Sequence, residues 1–318
     1  MKFFSKPIGT TAPLAGIASK TLQQTEVASV SRRRTALISA SLPNHLGGAT
    51  ACSSDLTEKQ LIIRAPDSKE VKSLYPTGTV LQGTLNYIFV FSDQNGHLYT
   101  WRRPKSQPKI LPQIHKDLLG TGFLTNGGSY KFRTIKEQAN FMEKARQSNL
   151  SSLVPIYADE FGLLSPFIEG TPYDKYLLSG GITATKNVLD NIILSHRQNV
   201  VYGDRWTKNT IVKPNEAIVE IDFDIELMGE FAQEFEMAQL LYHILFFSSR
   251  RSEMLGFLRA YFENRQTDLA QYKIPVVKKF LSNYANYFQD KPFAGISGVQ
   301  PEIAELIRIL SCCFGDED

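Results

Sequence analysis

A chain of 318 residues, 42% of them hydrophobic, is long enough to bury one two-lobed domain or two ordinary ones. Its three cysteines, Cys52, Cys312 and Cys313, are too few and too odd in number for a disulfide scaffold and suit a reducing compartment. The net charge is +3, but residues 1–50 hold six basic residues and one acid while the other 268 hold 29 and 31, so the remainder is near neutral and carries no nucleic-acid signature.

Residues 1–55 are rich in Ser, Thr, Ala and Gly, lack periodicity, and read as a flexible basic tail that includes Arg32, Arg33 and Arg34. The Arg/Ser-rich, acid-poor composition also fits an organelle-targeting or translocated segment; otherwise the cytoplasm is the default compartment. Order is expected to begin between 56 and 80. "TLNYIFVF" (84–91) alternates, "DQNG" (93–96) is a turn, and "HLYTWRR" (97–103) alternates again, which predicts a β-hairpin. "PKSQPKILP" (104–112) is a loop by its prolines. "DLLGTGFLT" (117–125), "NGG" (126–128) and "SYKFRT" (129–134) predict a second hairpin. "IKEQANFMEKARQSN" (135–149) predicts a helix, with Ile135, Ala139, Met142 and Ala145 on one face. "LVPIYADEFGLLSPFIEG" (153–170) predicts two short strands around a turn.

From 171 onward the pattern is mainly helical, interrupted by "VVYGDRWTKNTIV" (200–212) and "AIVEIDFD" (217–224). The apolar run "LLYHILFFSS" (240–249) is shorter than the roughly 18 residues of a membrane-spanning helix and carries His243, so it predicts a buried helix. Strands, one helix, strands and then helices make an α+β plan with two unequal lobes: a β-rich part over 56–168 and a helical part over 169–318.

Two interruptions of the helical pattern carry the chemistry. An Asp and an Asn five positions apart, Asp204 and Asn209, are common in turns by themselves. Here a third member, Asp222, ends a short apolar strand 18 positions after Asp204 and is followed by a helix. Phosphoryl transfer from ATP needs this set: one carboxylate to orient the attacking hydroxyl and take its proton, and a carboxylate with an amide oxygen to hold Mg²⁺. No Cys/His cluster has zinc spacing, and neither a Gly-x-Ser-x-Gly elbow nor a Walker loop occurs.

"YGDRWTKN…IDFD" resembles the catalytic loop and metal motif of the protein-kinase-like fold, in its small-molecule branch of aminoglycoside phosphotransferase and lipopolysaccharide kinase type. Tyr202 stands where that pattern has His, and Asp224 where protein kinases have Gly. "EFEMAQLLYHIL" (234–245) resembles the helix that follows the metal motif. The resemblance covers roughly residues 80–250. It implies a small β-rich lobe and a larger helical lobe, with ATP and Mg²⁺ as cofactors. Asp204 is implied as the catalytic carboxylate, and Asn209 and Asp222 as the metal ligands. Lys131, held by Glu137, is implied at the nucleotide phosphates, with Lys105 and Glu143 as alternatives. Phe167, Ile168 and Glu169 are implied beside the adenine. The glycines of 120–128 or of "DQNG" would cover the phosphates. The expected acceptor is a hydroxyl of a small molecule or sugar rather than a protein, because neither an Ala-Pro-Glu motif nor a long activation segment follows Asp224. The alternatives are a pseudokinase or binding module, a protein kinase, and a nucleotidyl transferase on the same fold.

Overall fold

The hairpin expected over 84–103 forms because its turn satisfies itself. The computed structural model describes residues 74–83, 85–105, 110–289 and 298–315. Strand β2 (Asn86–Ser92) pairs antiparallel with β3 (Leu98–Pro104), with Phe89 opposite Trp101 and Ser92 opposite Leu98. In the turn, Asp93 Oδ1 accepts from the backbone N–H of Asn95 (2.8 Å) and His97 (2.9 Å), an Asx turn that fixes the register. Strand β1 (Tyr75–Gln82) adds on one side. On the other side β6 (Leu163–Pro166) pairs β3, and β5 (Tyr157–Ala158) pairs β6. The resulting order is β1-β2-β3-β6-β5, antiparallel throughout.

The second expected hairpin does not form. Residues Leu111–Gly120 are helix α1, with Pro112 in its first turn, where a missing N–H costs nothing. The apolar residues of this stretch follow a helical period: Ile114 and Leu118 lie four apart and both join the helical core. Phe123 follows them, its ring 4.5 Å from that of Phe235. Gly128 lets Phe123 lie there, since a Cβ at 128 would come within 2.6 Å of its ring. Strand β4 (Ser129–Phe132) then pairs with a strand 90-odd positions later, β10 (Ile225–Met228), and not with its sequence neighbours.

Helix α2 (Ile135–Gln147) starts on a capping box: Thr134 Oγ1 accepts from the Glu137 N–H, and the Glu137 carboxylate accepts from the Thr134 N–H at 2.8 Å. Its face of Ile135, Ala139, Met142 and Ala145 is buried as the periodicity predicts. That face packs on Val200, Tyr202, Val219 and Phe223, so α2 braces the two segments that carry the acidic motif.

Beyond β7 (Thr171–Pro172) the chain is helical: α3 (Tyr173–Leu178), α4 (Ala184–Arg197), α5 (Ala232–Phe247), α6 (Arg251–Glu263), α7 (Gln266–Leu269), α8 (Ile274–Tyr287) and α9 (Gln300–Phe314). Strands β8 (Thr210–Val212) and β9 (Ile218–Glu220) interrupt it and form a three-stranded sheet with β7. Helix α5 has no side-chain N-cap, and nearly all its residues are buried. Each fully buried Leu, Ile or Phe contributes about 1.5–3 kcal/mol, which exceeds the ~1 kcal/mol of a cap, so packing holds this helix. The architecture is α+β, an antiparallel sheet followed by a helical part, as the element order predicts. The segment from α1 to β4 belongs with the helical part: Leu118 and Phe123 pack in its core, and β4 pairs β10. The tail over 1–55, with Cys52 and Arg32–Arg34, lies outside the described residues.

Candidate active site

The loop Tyr202–Asn209 has one internal backbone hydrogen bond, from Asn209 N–H to Trp206 O (2.8 Å), and its first half is held from outside. Gly203 has φ +102°, and a Cβ there would stand 2.0 Å from the Ile225 carbonyl oxygen, so only glycine fits. Helix α5 then supplies two acceptors one turn apart. Glu236 Oε1 accepts from Gly203 N–H at 2.7 Å, and Gln239 Oε1 accepts from Arg205 N–H at 2.9 Å. The Arg205 side chain turns inward. It pairs with Glu220 (Nη1–Oε1 2.5 Å) and Glu236 (Nε–Oε1 3.4 Å), and its guanidinium lies 3.8 Å from the centre of the Tyr202 ring. His196 Nε2 stands 2.6 Å from Glu236 Oε2, and its Nδ1 2.7 Å from the Tyr272 hydroxyl. Burial works to raise the Glu236 carboxyl, but Arg205, His196 and the Gly203 N–H outweigh it and leave it below its ordinary value. Burial lowers His196 despite the Glu236 carboxylate beside it.

Arg133 closes the loop from the other side. Its backbone N–H donates to Asp224 O (2.7 Å), and its Nη1 donates to the carbonyls of Tyr202 (2.9 Å), Phe223 (3.2 Å) and Ile225 (2.6 Å). One buried guanidinium thus joins the loop to the segment that follows the third acid. Tyr202, in the place where the resembled pattern has His, is buried with its ring 5.5 Å from both Phe141 and Phe223. It supports the loop by packing.

The framework brings Asp204, Asn209 and Asp222 together. Asn209 Nδ2 donates to Asp204 Oδ2 at 3.2 Å, and Asn209 O accepts from Ile221 N–H at 2.9 Å, next to Asp222. Burial and then the negative charge of Asp222 push the Asp204 carboxyl up to about 7, against Lys208 and Asn209. Asp224 is buried against Asp222, with Asn86 Nδ2 donating to its Oδ2 at 2.6 Å. Burial and Asp222 hold the Asp224 carboxyl well above its ordinary value, opposed by Arg102 and Asn86. The cation in contact with Asp222 is Arg102 of β3, whose Nη1 donates to Asp222 Oδ1 at 3.2 Å and whose Nη2 donates to the Ile221 carbonyl.

Clustered carboxylates that resist simultaneous ionisation fit a divalent cation. With Asn209 Nδ2 committed to Asp204, its Oδ1 and the Asp222 carboxylate are hard oxygen donors suited to Mg²⁺, which keeps several waters and needs few protein ligands. Among the described residues no three His, Cys, Asp or Glu side chains converge as an all-protein metal cage. A cavity of about 350 Å³ opens at Asp204, Lys208 and Asp222 and runs between α1 and α5.

The other predicted residues lie elsewhere. Lys131 does pair with Glu137 (3.0 Å), and also with Glu226 of β10 (3.3 Å). The pair joins β4 to the first turn of α2, with both side chains more than 40% exposed, and does not line the cavity that holds Asp204. The sequence puts Lys131 on a hairpin strand beside the nucleotide phosphates; its ladder is with β10, and its side chain is exposed. Lys105 donates to Gly83 O at 2.6 Å, and Glu143 pairs with Arg146 on its own helix. Phe167, Ile168 and Glu169 line a different cavity, of about 870 Å³, with His97 and Lys213. "DQNG" is the β2–β3 turn, and residues 120–128 pack on the helical core. The turn that reaches the Asp204 cavity is that between β1 and β2, through Leu85. Arg102, Arg133 and Asn86 were not picked out in the sequence. The one available signal is positional: Arg102 and Arg103 follow Trp101 in the strand, and alternation turns Arg102 and Arg103 to opposite faces.

No protein-family model matches the chain, and no curated protein matches it in sequence. Among solved structures it is similar to the Rio2 kinase from Chaetomium thermophilum, at 12% identity and a TM-score of 0.38, over 57% of this chain and 59% of that one. It is also similar to the Rio2 kinase–ADP/Mg²⁺–phosphoaspartate complex from the same organism, at 10% identity and a TM-score of 0.39, over 76% and 73%. The chain thus spans less than two thirds of the first of these. No described helix is long and apolar enough to cross a membrane.

Proposed function

We propose that the chain is an ATP- and Mg²⁺-dependent phosphotransferase of protein-kinase-like architecture, acting on a hydroxyl of a small molecule. The observation that carries this is the meeting of Asp204, Asn209 and Asp222 at the mouth of a cavity, on a loop that buried groups hold rigid. Asp204 orients the acceptor hydroxyl and takes its proton as the oxygen bonds to the γ-phosphorus and ADP leaves. Its raised proton affinity suits that role at neutral pH. Asn209 and Asp222 hold Mg²⁺, which when bound neutralises charge on the phosphate oxygens. Arg102, fixed on a central strand and in contact with the metal-binding Asp222, would take the phosphate-binding role in place of Lys131. Phe167 and Ile168 connect β6 to β7 and are the candidates for contact with the base.

Radiolabelled-ATP turnover with Mg²⁺, over a panel of alcohols, sugars and generic proteins, tests the reading. Asp204→Asn and Asp222→Asn should each lower turnover by about 10²–10⁴-fold with the fold intact. Turnover unchanged in both variants would overturn it. The Arg102–Asp222 ion pair supports a second reading, a nucleotide-binding module without turnover, because it occupies one oxygen of the metal-binding carboxylate. ATP binding with no transfer to any acceptor would favour that alternative.

A further inference from the structure

The cavity at Asp204 has walls of a consistent kind. Helix α1 presents Gln113, Ile114 and Asp117 along one face, and α5 presents Tyr242, His243, Phe246 and Phe247 in one stripe. Trp206 of the loop and Phe288, just past α8, complete the wall. The polar groups Asp204, Lys208 and His243 are close enough to act on one another: Lys208 opposes the rise of Asp204 and the protonation of His243. The remainder is mostly aromatic or aliphatic. At about 350 Å³ the volume is near the lower end for pockets that enclose a small organic ligand.

His243 is the unusual member of that wall. It is 2% exposed, its Nδ1 lies 3.5 Å from the Arg205 carbonyl, and its ring lies 4.4 Å from that of Trp206. An Nδ1–H donated to that carbonyl leaves Nε2 as a lone-pair acceptor. Burial pushes the imidazole down to about 3, so it is neutral. A neutral imidazole among aromatic rings suits a neutral ligand and cannot pair with an acid.

We propose that this cavity is the acceptor site and that its ligand is an alcohol with a ring-sized apolar body, and not a polyhydroxylated sugar. The hydroxyl sits at Asp204, and the body lies against Trp206, Ile114, Phe246 and Phe288. A sugar in the same place would turn several hydroxyls onto Trp206, Ile114, Phe246 and Phe288, where they lose water and gain no partner. An apolar ring gains from leaving water at those same positions. The assignment of the cavity to an acceptor rests on the phosphotransferase reading. The class of ligand rests on the wall.

The test is a titration of the full chain with 2-cyclohexylethanol and with glucose, read by tryptophan fluorescence and without ATP. The chain has two tryptophans. Trp206 lines the cavity, and Trp101 stacks on Tyr157 in the sheet. Cyclohexylethanol should shift the emission saturably and glucose should not. Ile114 and Phe288 are only half-buried, so Ile114→Asp and Phe288→Ala alter the wall without emptying the core. Each should weaken cyclohexylethanol binding tenfold or more, with unchanged circular dichroism. Saturable binding of glucose alone, or alcohol binding that neither variant weakens, would overturn the proposal. Because no ATP is present, alcohol binding that both variants weaken, with no turnover of any alcohol, would sink the phosphotransferase reading and keep the ligand class. Turnover of a sugar with no alcohol binding would do the reverse.

Discussion

Two clusters of opposite charge flank the acidic motif, and they differ in nearly everything except composition. Arg205, Glu220, Glu236 and His196 are buried beneath the loop, and each has more than one partner. Lys131, Glu137 and Glu226 meet on the surface of β4 and β10. In the first, removing one member strands a charge out of reach of water. In the second, water and salt replace whatever is lost. Position in the fold, and not the pairing of a cation with an acid, decides which cluster supports function.

The largest effect expected from breaking that contrast is on stability. Arg205→Ala or Glu236→Ala should destabilise the protein by about 3–5 kcal/mol, the scale for stranding one partner of a buried pair. Equilibrium denaturation checks this, and Lys131→Ala in the same assay should leave the midpoint nearly unchanged. Next in size is Gly203→Ala, which places a methyl against the Ile225 backbone at a left-handed φ. It should cost about 1–3 kcal/mol and displace Asp204 with the loop, so turnover should fall well beyond the loss of folded protein.

A third prediction concerns pH and should be read in EDTA. Asp204 binds a proton in the folded state up to about 7 but in the unfolded state only up to about 3.8. Between these values the folded state holds the extra proton, so this group's contribution to stability falls as pH rises. His243, pushed down from 6.5 to about 3, acts oppositely over much of the same range, so the wild-type profile should be shallow. Asp204→Asn removes only the first contribution. Its stability relative to wild type should therefore increase from pH about 4 to about 7, by at most about 1.4 kcal/mol per pH unit, and then level off. A difference that is flat with pH would remove the assigned environment of Asp204. The smallest expected change separates the two cations: Arg102→Met should weaken ATP binding tenfold or more, and Lys131→Met by less than twofold, by equilibrium dialysis.

The same contrast explains what the sequence makes legible. Asp204 and Asn209 lie in one loop, Asp222 comes two residues after the second strand of the hairpin that follows, and helix α2 carries its own capping signal and apolar face. Those features are local, and a single sequence displays them. Arg102 and Asp222 are 120 positions apart and meet only because β3 is central in the sheet. Arg133 is legible as a residue but not as a tie, because four of its acceptors are backbone carbonyls, and any sequence supplies those. Lys131 was misplaced for a related reason: strand propensity gives β4 but not its partner, and pairing with β10 carries the side chain outward. Helix α1 is hidden because the prolines of 104–112 read as a loop and "NGG" at 126–128 as a turn between strands, while its apolar period is helical.

The most direct test of the central claim is equilibrium binding of ATP with and without Mg²⁺, for wild type and Asp222→Asn. If Asp222 and Asn209 hold the metal on the phosphates, Mg²⁺ should tighten ATP binding tenfold or more in wild type and scarcely at all in Asp222→Asn. An equal Mg²⁺ effect in both proteins would contradict the metal site and with it the proposed chemistry.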